Sequence, residues 1–251
     1  MERWRGRVAL VTGASVGIGA AIAERLVKQG MIVVGCARNV QAIQNLADNL
    51  KGEAGKLVAI KCDVSQESEI LAMFEQIKKE YGGVDVCVNN AGLAYNQDLL
   101  SGSTQEWKTM LDVNVLALCI CTREAYKSME ERGVDDGQII QLNSIAGIKV
   151  TGASAGGNFY AATKFAVTAL TEGVRNELRA KGSHIRINQI CPGLVETDFH
   201  NRKFGPEKAQ QIYDTFKCLQ SHDIADAVEY VMSAPPHVQI TEVVCLPTDQ
   251  P

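Results

Sequence analysis

Short runs of β-branched and apolar residues alternate along this chain with longer amphipathic segments, and that alternation restricts the fold more than any other feature. The runs Val8–Thr12, Met31–Ala37, Leu57–Asp63, Val84–Asn89, Gln138–Ser144, His184–Ile190 and Glu242–Leu246 have the length and composition of buried strands. Between them the spacing turns helical. After Ser65, a predicted N-cap, Ile70, Met73, Phe74 and Ile77 share one face while Glu69, Lys78 and Lys79 fall elsewhere. Strand, helix, strand in repetition specifies parallel neighbours, because parallel strands need a crossover and a helix is its usual form. The prediction is an α/β fold: one doubly wound domain over residues 1–251, its seven-stranded parallel sheet covered by helices on both faces. At 251 residues and 46% hydrophobic content the chain can fill such a core without dividing. Two stretches lack pattern, Gly147–Asn158 and roughly Leu194–Thr215, and read as loops over a site; the second belongs to a predicted substrate lid spanning about 194–220.

Charge and cysteine usage narrow the partners. The 25 basic and 29 acidic residues are interspersed, with a net charge of −4, so no patch advertises nucleic acid or an anionic membrane, and a small-molecule substrate fits better. Cys36, Cys62, Cys87, Cys119, Cys121, Cys191, Cys218 and Cys245 sit mostly inside apolar runs without a C-x-x-C, the pattern of reduced core thiols in a cytoplasmic protein. The four histidines are scattered, so no metal site is expected. The opening "MERWRGR" is charged and followed by a short strand-like run, which suits neither a signal peptide nor a membrane span.

"VALVTGASVGIG" (8–19) admits two chemistries. Gly13-Ala14-Ser15-Val16-Gly17 fits G-x-S-x-G, the elbow of a serine hydrolase with Ser15 as nucleophile. That reading needs an earlier strand and an oxyanion loop, and the residues before Gly13 leave no room for them. The alternative is a phosphate cradle, in which Gly13, Gly17 and Gly19 allow a tight turn, close approach to a pyrophosphate and close helix packing. The phosphates would then sit on the N–H groups opening a helix over Gly17–Lys28. A ligand-free glycine turn would look the same locally, so partner motifs decide.

In "NFYAATKFAVTAL" (158–170), Tyr160 and Lys164 share a helix face, and the amine can lower the phenol's pKa so that it serves as acid or base. Such pairs also occur on solvated helices. Ser144 ends the run "QIIQLNSIAG" where doubly wound folds carry ligand-facing residues, able to hold a carbonyl oxygen or simply to cap a turn. Asn89, Asn90 and Gly92 in "VCVNNAGLA" suit a polar turn or a cofactor edge equally.

Together these motifs resemble the short-chain dehydrogenase/reductase family. T-G-x-x-x-G-x-G stands at Thr12–Gly19, N-N-A-G at Asn89–Gly92, Asn114 in "DVNVLA", then Ser144, Y-x-x-x-K at Tyr160–Lys164, and P-G with a following threonine at Pro192–Thr197. The resemblance covers nearly the whole chain and implies a Rossmann fold. It implies Asn114, Ser144, Tyr160 and Lys164 as the catalytic set: Tyr160 exchanging a proton with the substrate oxygen, Ser144 hydrogen-bonding that oxygen, Lys164 binding the nicotinamide ribose and depressing the tyrosine, and Asn114 supporting a water relay to Lys164. It implies cofactor contacts from Gly13, Ser15, Gly17, Ile18, Gly19, Arg38, Asn39, Asp63 and Val64, with Asp63 toward the adenine. Further contacts come from Asn90, Ala91, Gly92, Tyr160, Lys164, Pro192, Gly193, Val195 and Thr197. It also implies a homodimer or homotetramer. The stretch between Ser144 and Tyr160 is a little longer than the family's commonest spacing, the extra falling in "TGASAGG"; an alignment on Ser154 would displace Ser144, but the strand-then-S-x-x-G context favours Ser144.

No acid closes the second strand run, "IVVGCARNV", where a carboxylate would hold the ribose of NAD, and Arg38 follows instead, so NADP(H) is expected over NAD(H). Val16 stands where some NADP-using relatives carry a second basic residue. Leu93, Tyr95, Phe159, Leu194, Val195, Phe199 and Tyr213 are expected to border an apolar substrate pocket, although each aromatic also suits the core. The motifs are similar to the farnesol dehydrogenase and steroid-active branch of the family, which implies a lipophilic alcohol or carbonyl substrate. A cofactor-binding module without chemistry is the main rival, disfavoured because every catalytic residue type is present.

Overall fold

The computed structural model describes residues 1–150 and 157–250. Its strands are β1 (Val8–Thr12), β2 (Ile32–Ala37), β3 (Lys56–Lys61), β4 (Val86–Asn89), β5 (Gln138–Leu142), β6 (Arg186–Pro192) and β7 (Glu242–Cys245). Between and after them run α1 (Gly17–Lys28), α2 (Val40–Asn49), α3 (Glu67–Tyr81), α4 (Thr104–Leu111), α5 (Ala117–Glu131), α6 (Asn158–Ala180), α7 (Asp198–Phe204), α8 (Pro206–Tyr213) and α9 (Ser221–Ser233). The strands form one seven-stranded sheet, wholly parallel, in the order β3-β2-β1-β4-β5-β6-β7. This is the predicted doubly wound Rossmann fold, and each predicted strand overlaps an observed one.

Burial on both faces explains why the strands read as unbroken apolar runs. In β1, Ala9 and Val11 enter one core with Ile22 and Leu26 of α1, Ile43 of α2 and Val228 of α9. Val8 and Leu10 point the other way, into a core with Ile70 and Ile77 of α3, Cys121 of α5 and Leu178 of α6. Ile22, Leu26, Ile70 and Ile77 are fully enclosed, and each contributes about 2 kcal/mol relative to solvent exposure. No described helix is long and apolar enough to cross a membrane.

Two local expectations are corrected. Helix α3 begins at Glu67 with Gln66 at the N-cap, because Ser65 is captured by Asp63, whose Oδ1 accepts from the Ser65 backbone N–H at 3.0 Å and from its hydroxyl at 2.8 Å. The stretch expected as a loop at Leu194–Thr215 instead holds α7 and α8, joined at Gly205 in the left-handed region (φ +84°) with Pro206 opening α8. Each spans only about two turns, too little to stand out as a helix from the sequence pattern. At their base Val195 pairs with Leu219. Part of the other expected loop, and with it Ser154, lies outside the described residues.

The strand order reverses between β1 and β4. Chain leaving β1 turns toward β2, chain leaving β4 toward β5, and their carboxyl ends diverge to open a crevice, the place where doubly wound sheets bind ligands.

Candidate active site

Thr12, at the end of β1, ties the two sides of that crevice together. Its hydroxyl accepts from the Asn90 and Ala91 backbone N–H groups, each at 3.0 Å, while the Asn90 side chain donates to the Thr12 carbonyl at 2.8 Å and the Gly13 carbonyl at 3.2 Å. Gly13 takes a left-handed φ of +68° that a side chain would strain. Gly19 has a different reason: a Cβ there would run into the Gly13 carbonyl oxygen and the Asn90 amide. The helix α1 can therefore start close against the strand end. Its first turn carries neither a side-chain cap nor an acidic residue, which leaves the opening N–H groups and the positive end of the helix dipole for an anion.

Gly13, Gly17, Gly19, Asn90 and Ala91 line one cavity of about 760 Å³, within the size range of cofactor and ligand sites. All the residues expected to contact a cofactor lie on its wall, from Gly13, Ser15, Gly17, Ile18 and Gly19 through Arg38, Asn39, Asp63 and Val64 to Asn90, Ala91, Gly92, Tyr160, Lys164, Pro192, Gly193, Val195 and Thr197. Arg38 is exposed directly after β2. Asn39 caps α2 through the Ala42 N–H, at 3.3 Å.

On the far side α6 presents Tyr160 in its first turn and Lys164 one turn later. Ser144 caps a short 3-10 turn, accepting from the Ala146 N–H at 3.1 Å, and shares the cavity wall with Tyr160, near enough to favour the ionised form of the phenol. The capping and ligand-facing readings of Ser144 are thus compatible. Lys164 is 5% exposed; its Nζ donates to the Leu142 carbonyl at 2.8 Å and lies 5.8 Å from the centre of the Tyr160 ring. The expected direction of the tyrosine shift does not hold in the protein alone. Burial pushes the phenol up to about 12, opposed by the Ser144 contact, and burial pulls the Lys164 ammonium down to about 8. The lysine reaches toward a carbonyl, and its charge does not offset the phenolate's desolvation.

Asn114 stands behind the cavity wall in a π-helical turn between α4 and α5. Its side chain accepts from the Leu93 N–H and donates to the Leu93 carbonyl, both at 2.9 Å, and donates to Thr163 Oγ1 at 3.1 Å. It braces the β4 exit against α6. Asn89 is no cofactor edge: it is buried, donating to Thr122 at 3.1 Å and Gln141 at 2.9 Å.

Leu93, Tyr95, Leu194, Val195 and Phe199 border the cavity as expected, but Phe159 and Tyr213 do not. Phe159 stacks on Trp107, ring centres 5.2 Å apart, because its neighbour Tyr160 already points inward and adjacent helical residues diverge by about 100°. Tyr213 pins the β6 exit, donating to the Thr197 carbonyl at 2.6 Å. The sequence reading missed Gln250, on the cavity wall near the end of the chain, which accepts from the Leu194 N–H at 2.8 Å. Nothing in the local sequence signals it. Among the described residues no group of three His, Cys, Asp or Glu side chains could hold a metal ion.

Known proteins match this arrangement. A family model described as short chain dehydrogenase matches residues 7–208. The chain is 57% identical over 256 residues to dehydrogenase/reductase SDR family member 11 of Gallus gallus, covering 100% of this chain and 99% of that protein. It is 46% identical over 252 residues to the farnesol dehydrogenase of Aedes aegypti, again covering 100% and 99%. Among solved structures, the closed form of serine dehydrogenase complexed with NADP+ matches with a TM-score of 0.88 at 35% identity, over 97% of this chain and 96% of that one. Because the family match takes in the glycine cradle, the α6 pair and the β6 exit in one span, the chain belongs to the short-chain dehydrogenase family and is an oxidoreductase.

Proposed function

We propose that the protein is an NADP(H)-dependent oxidoreductase interconverting a lipophilic alcohol, isoprenoid like farnesol or steroid, with its aldehyde or ketone. The observation that carries this reading is the meeting of Tyr160, Ser144 and Lys164 at the wall of a cavity that begins at the glycine cradle. The cradle suits a dinucleotide: the Gly19 contact leaves no room for a side chain, and the uncapped, acid-free start of α1 suits a pyrophosphate. Arg38 is free to meet a 2′-phosphate, since a cation near the start of α2 gains nothing from that helix's dipole. When bound, NADP(H) supplies or accepts the hydride.

The chain's own residues then handle the proton. In reduction Tyr160 donates it to the carbonyl oxygen while Ser144 hydrogen-bonds the developing negative charge; in oxidation Tyr160 takes it back. Lys164 would hold the nicotinamide ribose and, once turned from the Leu142 carbonyl toward the phenol, favour its ionised form. Asn114, as a positioning residue, keeps α6 and the β4 exit in register and supports a water relay to Lys164. Pro192, Gly193, Val195 and Thr197 would orient the nicotinamide, and a lid over about 194–220, hinged at the Val195–Leu219 pair, would exclude water. The apolar wall from Leu93 to Phe199 and the 46% identity to an insect farnesol dehydrogenase support the lipophilic substrate. The free cysteines suit a cytoplasmic setting, and Leu116 and Phe165, 53% and 40% exposed, suit burial in a homodimer or homotetramer.

A spectrophotometric screen of both nicotinamide cofactors against isoprenoid alcohols, steroids and quinones tests this reading. Turnover with NADP(H) of an isoprenoid or steroid member is the expected result; cofactor binding with no turnover of any member favours the module without chemistry. In the same assay Arg38→Ala is expected to raise the Kd for NADPH about thirtyfold, the cost of one charge-assisted phosphate contact, and to leave that for NADH within about threefold. Equal losses for the two cofactors would remove Arg38 from the phosphate site.

A further inference from the structure

Beyond Tyr160 the cavity runs along a series of rings to an unexpectedly polar end. Tyr160 meets Phe199 at 5.6 Å between ring centres, Phe199 meets His200 at 5.6 Å, and His200 stacks on Phe204 at 6.0 Å. The Lys203 ammonium lies over that same Phe204 ring, 4.6 Å from its centre, with Lys208 at 5.1 Å. Both His200 and Lys203 line the cavity. Among the described residues neither side chain has a hydrogen-bond or ion-pair partner. The lid carboxylate Asp198 bonds Asn201 instead, at 3.2 Å, and Arg202, also on the cavity wall, forms no ion pair with a described residue.

The protonation of His200 follows from its surroundings. Its Nδ1 is enclosed without a partner, and an enclosed lone pair left bare costs less than an enclosed N–H left bare, so the proton belongs on Nε2. Burial, with the charge of Lys203 nearby, pulls the imidazole down to about 4, so the ring stays neutral at physiological pH. The corner therefore presents two donors, an imidazole N–H and an ammonium, and among the described residues neither meets a protein acceptor.

We propose that His200 and Lys203 bind a carboxylate at the end of the substrate remote from the reacting carbon, so that the enzyme's preferred lipophilic alcohol or carbonyl compound is an acid. This rests on the oxidoreductase reading above and specifies its substrate class. Tyr160 and Ser144 hold the reacting oxygen, the apolar wall takes the body, and the two donors take the far end, two ring-to-ring steps from Tyr160.

The test uses the whole protein with NADPH and a matched series of medium-chain aldehydes that differ only at the far end: methyl, hydroxymethyl or carboxylate. The carboxylate-ended member is expected to have kcat/KM about tenfold above the methyl-ended one, mainly through KM, the value of one partly buried charge-assisted contact. Lys203→Met and His200→Phe each bring that ratio toward one, whereas Lys203→Arg retains it. A ratio near one in the unaltered protein, a preference for the hydroxymethyl end, or a ratio unmoved by both variants overturns the corner and leaves the oxidoreductase reading standing. No turnover of any aldehyde, with NADPH still bound, sinks that reading and the corner with it.

Discussion

Tyr160→Phe is expected to lower kcat/KM about a thousandfold while NADP(H) affinity stays within about threefold. The magnitude follows from losing a positioned general acid, whose typical contribution spans about a hundredfold to ten-thousandfold. The ring itself would remain. Its contact with Phe199 is a ring-to-ring one at 5.6 Å, and the α6 backbone needs no phenol oxygen to form. Nor does the change orphan Ser144, whose hydroxyl still accepts from Ala146. The thermal midpoint should therefore move little, and the loss should appear in turnover, read by nicotinamide absorbance, with binding followed by fluorescence titration. Residual activity within tenfold of the unaltered enzyme would remove Tyr160 from the proton transfer. A parallel collapse of cofactor affinity would make it a binding residue.

The parts of this molecule that were legible in its sequence are those fixed by local chemistry. Unbroken apolar strands announce a sheet buried on both faces, and β1 with its Val8/Leu10 and Ala9/Val11 alternation between two cores is the plainest case. The cradle was legible because only glycine tolerates φ +68° at position 13 and contact with a carbonyl at position 19. Tyr160 and Lys164 were legible because helical spacing alone puts them on one face. What escaped was set by contacts distant in sequence or by which way a side chain turns. Gln250 reaches Leu194 from beyond the carboxyl end of β7, far along the chain, and Asn89 is drawn into the sheet by Gln141 and Thr122. Of the two places its sequence allows, Phe159 takes packing against Trp107 rather than the cavity wall, a direction that follows from helix geometry: once Tyr160 faces the cavity, the preceding residue faces away. The polar end at His200 and Lys203 was hidden because α7 and α8 are too short to declare themselves as helices, so nothing showed which of their residues turn inward.

Lys164 carries the second large effect, because the same burial that suits it to the site costs the fold stability. Its ammonium is 5% exposed and drawn down to about 8 from the ordinary 10.5. The folded value lies below the unfolded one, so between about pH 8 and 10.5 the unfolded chain holds a proton that the native chain has lost, and stability rises with pH through that window. Below pH 8 the penalty is present in full, on the order of 3 kcal/mol. Tyr160 acts in the opposite sense: raised to about 12, it makes stability fall as pH climbs from about 10 toward 12. Lys164→Met removes the buried charge but leaves the Leu142 carbonyl without the donor it has at 2.8 Å, which costs about 1–3 kcal/mol. The variant is therefore expected to be about 1 kcal/mol more stable than the unaltered protein near pH 7, to lose that advantage as pH passes 8, and to be the less stable of the two by pH 10. Its kcat/KM should fall at least about a hundredfold, since no cation is left to favour the ionised phenol or to hold the ribose. Calorimetric midpoints across that pH range, beside turnover at each pH, separate the two effects. A variant less stable at pH 7 would show that the ammonium is not a burden on the fold, and a variant that keeps its activity would show that Tyr160 manages its proton unaided.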